Sequence, residues 1–410
     1  MLCRPYALCT LLLSCLLAVT VSCSDSTDLP DDAPEGGPLR TLTFVYMAAE
    51  NSLADFSTAD LIEMRSAADR IPDDCALLVF IDDKALPRIC RIGTKGGKAV
   101  CDTIYIFAED FSSSKKENMR MVFEYVTETY PAENMNVVMW SHGSGWIRGN
   151  AAMRPMHRSI GVDNGGNNYS NVTAHVLEVE DVADVLEALP TKVRLLLFDA
   201  CFMQGVETAY ALRNSAEWIL ASPAEIPGDG APYHLIMDKL FANPIDAEAV
   251  MRAYQSGYND EVDGTLLSVV RCSAMQQLAD ATESVVKRYF TRENEVDNRH
   301  EVFSYLPGGY FIFGEPYYPD YLDINAVMKS RLPHDEYQAW KVAFDRAVPY
   351  KCASETWYSQ PHNTEYTVEH DVYSGMSMYL PCSNRDFSLY NRDFSTTEWY
   401  SATGWQQAGW

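Results

Sequence analysis

Unbroken apolar runs recur along this chain up to about residue 270, and between them lie segments whose apolar residues repeat at helical spacing. Thr41–Ala49, Ala76–Ile81, Val137–Trp140, Thr191–Phe198, Glu217–Ser222 and Thr265–Val270 read as strands. A run without polar alternation needs burial on both faces, which is the mark of a mainly parallel sheet. The intervening segments read as helices. Leu53, Phe56, Leu61, Met64 and Ala68 share one face, and Lys115–Tyr130, Val179–Leu189, Phe202–Asn214 and Ser273–Phe290 follow the same spacing. Strand and helix alternate, so the class is α/β, a mostly parallel sheet with helices on both faces. Near residue 260 the pattern changes to an aromatic, loop-rich stretch. A helix is expected near His334–Ala347 and a strand near Met376–Leu380, within a smaller C-terminal α+β subdomain.

The first residues belong to none of this. Arg4 is followed by an apolar run from Leu11 to Val21, then Thr20-Val21-Ser22-Cys23 and an acidic, Ser-, Asp- and Pro-rich stretch to residue 38. That pattern is a secretory signal with a lipobox-like end. It resembles a bacterial lipoprotein signal, which implies that Cys23 becomes the lipidated first residue, although Thr20 stands where Leu is usual. The expected organisation is 1–22 signal peptide, 23–38 lipidated flexible tether, 39–260 main α/β domain and 261–410 C-terminal subdomain. The protein is then exported and held at a bacterial membrane, periplasmic or at the cell surface, through an N-terminal lipid anchor.

A net charge of -25 on 410 residues disfavours nucleic acid as a partner, because phosphate binding needs clustered Lys and Arg. The cysteines from Cys75 onward are scattered without a C-x-x-C, so no metal site is expected from their spacing.

Two runs carry chemistry at their ends. One closes on Trp140-Ser141-His142-Gly143, the other on Asp199-Ala200-Cys201. A loop and one helix join them. Such a crossover makes the strands parallel, so both ends reach the carboxyl edge, where open α/β sheets bind ligands. Neighbouring strands lie about 4.8 Å apart, which brings imidazole and thiol within reach of each other. His142 can exchange protons with Cys201 as nucleophile. A helix from Phe202 would place its positive end on the thiolate. Gly143, without a side chain, can turn its N–H toward a substrate carbonyl, and with the N–H of Cys201 it forms an oxyanion hole. Asp199, two residues before Cys201, can form the floor of a pocket for a cationic side chain. Its other reading is a helix N-cap.

These residues resemble the clostripain family, within the caspase- and gingipain-like group of cysteine peptidases. Tyr46–Leu53, Ser141–Trp146, Asp199–Met203, Ala221–Pro223 with Pro227–Gly230, and Ser374–Tyr379 carry the resemblance. It implies a caspase-like fold for 39–260, Cys201 as nucleophile, His142 as its partner and Gly143 at the oxyanion position. Asp199 matches a carboxylate of a pocket specific for basic residues. Asp229 matches a second one, its alternative being a turn residue in Pro-Gly-Asp-Gly. Relatives mature by cleavage after a basic residue in the loop following the His, which makes Arg148, Arg154 and Arg158 candidates. Some relatives need calcium. Asp163-Asn164-Gly165-Gly166-Asn167-Asn168 offers oxygen ligands but lacks the alternation of a known calcium loop, so no cofactor is assigned. Glu50 replaces the Asp common in the first motif. The resemblance implies an exported lipoprotein endopeptidase cleaving protein or peptide substrates after Arg or Lys. The alternative is a non-catalytic surface-binding lipoprotein holding a ligand on Tyr310, Phe311, Phe313, Tyr317, Tyr318 and Tyr321.

Overall fold

The computed structural model describes residues 37–148, 159–163, 175–258, 264–296, 299–312 and 315–410. Cys23, Arg154 and Arg158 lie outside the described residues, as do residues 164–168 of the candidate calcium stretch.

The apolar runs form one nine-stranded sheet. Its strands are β1 (Thr41–Ala48), β2 (Cys75–Asp82), β3 (Arg88–Lys95), β4 (Lys98–Ile106), β5 (Met135–Trp140), then, past a short hairpin of β6 (Ile160–Asp163) and β7 (His175–Leu177), β8 (Val193–Asp199), β9 (Ala216–Ala221), β10 (Leu266–Arg271) and the edge strand Tyr350–Ala353. The order runs from Tyr350–Ala353 through β10, β9, β8, β5, β1, β2 and β3 to β4. From β9 to β2 the pairings are parallel, and both margins are antiparallel. The expected mostly parallel α/β sheet is therefore present. Two of its strands come from beyond residue 260, so the sheet itself spans the two expected domains.

Alternation along each strand sends side chains to two cores. Phe44, Tyr46, Phe80, Leu196 and Phe198 face the helices α2 (Lys116–Thr129), α3 (Val179–Glu187) and α4 (Val206–Ala211). Val45, Val79, Val138, Trp140, Leu195 and Leu197 face the other way, toward α1 (Ala54–Ser66), α5 (Tyr233–Leu240) and α6 (Ala247–Gln255). The first core continues into α7 (Met275–Tyr289), α8 (Ile324–Arg331), α9 (His334–Ala347) and the tail, where Trp399 and Trp405 are fully buried. The terminal Trp and Gly segment packs, as its composition suggests.

One expected helix differs. The segment after Cys201 is helical only from Val206 to Ala211. Phe202 adopts φ +59°, the left-handed region, which breaks the helical path. Its N–H donates to Ala224 O at 2.8 Å and the N–H of Gln204 to Ser222 O at 2.9 Å, so residues 202–204 run alongside the chain leaving β9.

Candidate active site

Parallel pairing of β5 with β8 sets Trp140 against Asp199. His142 and Cys201 each lie two residues further, at the carboxyl edge, as the crossover predicts. Their strands touch there. A methyl group on Gly143 would sit 2.6 Å from Cys201 O, 2.9 Å from Met203 Sδ and 3.1 Å from Ala200 Cβ. Only a glycine allows this approach.

The His strand is held from three sides. Ser141 Oγ donates to Ala48 O at 2.8 Å and accepts from Val162 N–H at 3.2 Å. The N–H of Gly161 donates to His142 O at 3.0 Å, and that of Ser144 to Ser159 O at 3.1 Å. Gly143 opposes Ile160 in this bridge without spending its own N–H on it. The partly exposed imidazole meets Ser52 Oγ through Nε2 at 2.8 Å. Ser52 lies just before α1 and sequence reasoning gave it no role.

Cys201 is also partly exposed, but its thiol is not activated by a helix end. Because α4 starts only at Val206, the expected dipole does not bear on it. Burial pushes the thiol up to about 12, the Glu225 carboxylate adds to this, and the N–H groups of Ile226 and Cys201 act in the opposite direction. The resting sulfur is thus a neutral thiol near pH 7. Glu225 is itself pushed up to about 7 by burial, against hydrogen bonds from Ser359 and the Gln360 N–H.

Asp199 is buried at the end of β8, facing α5 and α6. Its Oδ2 accepts from Ala231 N–H and Tyr233 OH, both at 3.0 Å, and its Oδ1 from Tyr254 OH at 3.2 Å. Burial lifts it to about 6, against these donors. It caps no helix of its own, so the N-cap reading does not hold. Gly230, at φ +64°, lies on the carboxylate, where an added methyl would approach Oδ2 to 2.9 Å. Asp229 is exposed in the turn closed by Gly230 N–H to Pro227 O at 3.0 Å. It is a turn residue, one position before the Gly230 that lies on the Asp199 carboxylate.

A further acid lies below them. Asp60 on α1 is buried and accepts from Trp140 Nε1 at 2.6 Å; burial, then the charge of Asp199, push it up to about 9. Ser57, Asp60 and Met64 form the buried stripe of α1. An acid at that helical spacing was the signal available in the sequence.

The remaining candidates separate. Arg148 is engaged by Glu180 at 2.6 Å and by Thr396 Oγ1 at 2.9 Å. Tyr321 is buried and stacks on Phe202 with centroids 4.4 Å apart, and Tyr318 packs beside them at 5.9 Å from Phe202. Those two support the nucleophile loop instead of forming an open aromatic platform. Phe313 and Tyr317 fall where side chains are not described. Asp163 is buried at the end of β6 beside Glu50 and Asp82.

Known proteins share this fold. The sequence pattern of the clostripain family, peptidase C11, matches residues 45–410. Clostripain of Hathewaya histolytica is 30% identical over 155 residues, which is 37% of this chain and only 26% of clostripain. A secreted C11 cysteine protease from Bacteroides thetaiotaomicron, solved with an irreversible peptide inhibitor, is 28% identical, with a TM-score of 0.75 over 90% of this chain and 99% of its own. An inactive zymogen C11 protease from Parabacteroides distasonis, at 23% identity and TM-score 0.74 over 90% and 99%, has the same fold. With the fold of these proteases and a family match over residues 45–410, this protein belongs to the clostripain family of cysteine peptidases.

Proposed function

We propose that the chain is an exported, lipid-anchored endopeptidase that cleaves after Arg or Lys, with Cys201 as nucleophile and His142 as its proton partner. The contact between Gly143 and Cys201 carries this reading, because it sets both motifs at one rim in the register the chemistry needs. Since the thiol is neutral at rest, attack and proton transfer proceed together. The Cys201 Sγ–carbon bond forms as His142 takes the thiol proton, and the carbonyl oxygen gains negative charge facing the N–H of Gly143 and Cys201. His142 then gives that proton to the leaving amine as the C–N bond breaks. Water, deprotonated by the same imidazole, hydrolyses the acyl-enzyme and restores the thiol.

The preference for a basic residue rests on Asp199 and Asp229. A cationic side chain entering beside them favours the ionised form of Asp199, whose burial otherwise resists ionisation. Export and anchoring rest on the Leu11–Val21 run and Cys23; among the described residues no helix is long and apolar enough to cross a membrane. Arg148, Arg154 and Arg158 are the processing candidates, and the Arg148 guanidinium is paired with Glu180.

Fluorogenic peptides ending in Arg, Lys and a neutral residue test the activity in the parent and in Cys201→Ala. Equal turnover by both removes Cys201 from the mechanism. Radiolabelled acyl chains should enter the parent but not Cys23→Ala, and label in both would move the anchor elsewhere.

A further inference from the structure

Two cysteines that the catalytic pair does not use lie together at the margin of the sheet. Cys90 is on β3 and Cys101 on β4, and the strands are joined by a tight turn at Gly96-Gly97. The antiparallel register sets Cys90 against Thr103 and Ile92 against Cys101, so the cysteines are diagonal neighbours on one face. That face belongs to the core under α1, where Cys90 is buried and Cys101 packs partly exposed. Diagonal partners stand about 7 Å apart, and less at Cβ, which is close to the longest Cα separation a disulfide spans. The register slips between Ile89 and Cys90, and such a bulge sharpens the local twist. The sulfurs already meet. The Cys101 thiol donates to Cys90 Sγ, which also contacts Thr103 Oγ1 at 3.7 Å.

The pair also differs from other thiols of the chain. Burial pushes Cys75 up to about 11 and Cys272 and Cys352 up to about 12, which keeps them protonated near pH 7. Cys90 is instead held below the usual thiol range, first by the hydrogen bond from Cys101 and then by Thr103 and Arg88, against burial. The same bond, with burial, pushes Cys101 up. One sulfur is therefore prepared as a nucleophile, and the other stands where solvent can bring an oxidant.

We propose that Cys90 and Cys101 form a disulfide that staples β4 to β3. The oxidant is the disulfide of another thiol compound, small or protein-borne. Cys101 Sγ attacks it, forming a mixed disulfide and expelling one thiolate. Cys90 Sγ then attacks the Cys101 sulfur, and the Cys90–Cys101 bond forms as the mixed bond breaks. The two cysteines lose two electrons and two protons, which the oxidant carries away as two thiols. The staple falls where the sheet is weakest. β4 is its last strand, and none of the β4 residues is fully buried, so little holds it besides β3. Arg91, Lys95 and Lys98 lie between the two cysteines. A peptidase that cuts after basic residues can open this hairpin, and the bond keeps its strands joined after the cut. Formation of the bond is independent of the proposed catalysis; its presence in the cell rests on the proposed export.

The test uses the full mature chain carrying Cys201→Ala, reduced and then held folded with oxidised glutathione. The chain should lose the mass of two hydrogen atoms. Digestion with trypsin without reductant should yield Ile89–Arg91 linked to Ala99–Lys115. The linked peptide should vanish in Cys90→Ala, and Cys101→Ser gives a second variant should the first misfold. Oxidation should raise Tm by about 3 °C or more, a gain absent from both variants. A lasting glutathione adduct on Cys101, a bond to any other cysteine, or no loss of mass would overturn the disulfide. A bond formed with no rise in Tm would overturn the stapling of β4. The linked peptide is also expected in chain recovered from an exporting bacterium. Free thiols at both positions in chain found outside the cytosol would overturn the staple, whereas a chain found only in the cytosol would count against export and leave the result with glutathione standing.

Discussion

The two motifs reach the same rim by different means. The His loop is bonded on both sides, to β1 through Ser141 and to β6 through the carbonyl of His142. The Cys loop instead turns through a left-handed Phe202, stacks that ring on Tyr321 and runs along the chain leaving β9. The first motif extends its strand without a break, and the second leaves its strand through a reversal; Tyr321 touches both, its hydroxyl donating to Ser144 O at 2.9 Å and its ring stacking on Phe202. The imidazole therefore arrives oriented, while the sulfur of the partly exposed Cys201 arrives protonated, and the proposed pair works only if the first compensates for the second.

The sharpest way to break that comparison is to remove each partner. Cys201→Ala and His142→Ala should each lower kcat/KM on Arg-ended peptides by more than about 1000-fold, and the double variant should lose little more, since residues acting as one unit are not additive. If His142→Ala kept most of its activity, the thiol would not need an external base, and a pushed-up Cys201 would be incompatible with that result.

The pocket acids differ in the same manner. Asp229 is exposed, whereas Asp199 holds three donors from the segment behind it. Asp229→Asn should cost basic substrates about 10- to 100-fold in kcat/KM, the value of one hydrogen bond to a charge, and leave neutral substrates nearly unchanged. Asp199→Asn should cost basic substrates still more than neutral ones. It also places an amide donor against existing donors, so Tm should fall with it. An equal loss on both substrate types at unchanged Tm would refute a selecting role for Asp199.

A smaller effect tests the orientation of the His side. Ser52→Ala should lower kcat about tenfold with KM unchanged, since the hydroxyl meets the imidazole and not the substrate, and Ser52→Thr should restore most of it. A change confined to KM would place Ser52 in the binding cleft instead.

The same contrast explains how far the sequence anticipated the structure. Strands buried on both faces announce themselves as apolar runs, and β1, β2, β5, β8 and β9 lie within two residues of their expected bounds. The positions of His142 and Cys201 follow from those strands alone. Beyond a strand end the chain obeys distant contacts, so the helix expected from Phe202 begins only at Val206. The helices α5 and α6 were legible and were missed. Tyr233, Ile236, Met237 and Leu240, then Ala247, Val250, Met251 and Tyr254, repeat at helical spacing. Buried acids are harder to see. Asp60 and Asp82 look like surface residues until their partners, Trp140 on β5 and Asp163 on β6, are brought in from far along the chain.

The smallest effect concerns pH and falls on the buried acids. Burial lifts Asp60 to about 9, Asp82 to about 8, Glu207 to about 8, Glu225 to about 7 and Asp199 to about 6. In each case the folded chain keeps a proton that the unfolded chain releases near pH 4. The unfolded state therefore binds fewer protons across this window, and the slope of stability against pH is negative. The stabilising share is complete below about pH 4 and is lost as pH rises through each folded value. Acids lowered by surface partners, such as Asp74 and Glu336, act below pH 4 and do not offset this. The Cys201→Ala protein should thus show a lower urea midpoint at pH 8.5 than at pH 6. A midpoint that rises with pH would mean that these carboxylates are ionised in the folded chain, and that their buried donors outweigh the cost of burying the charge.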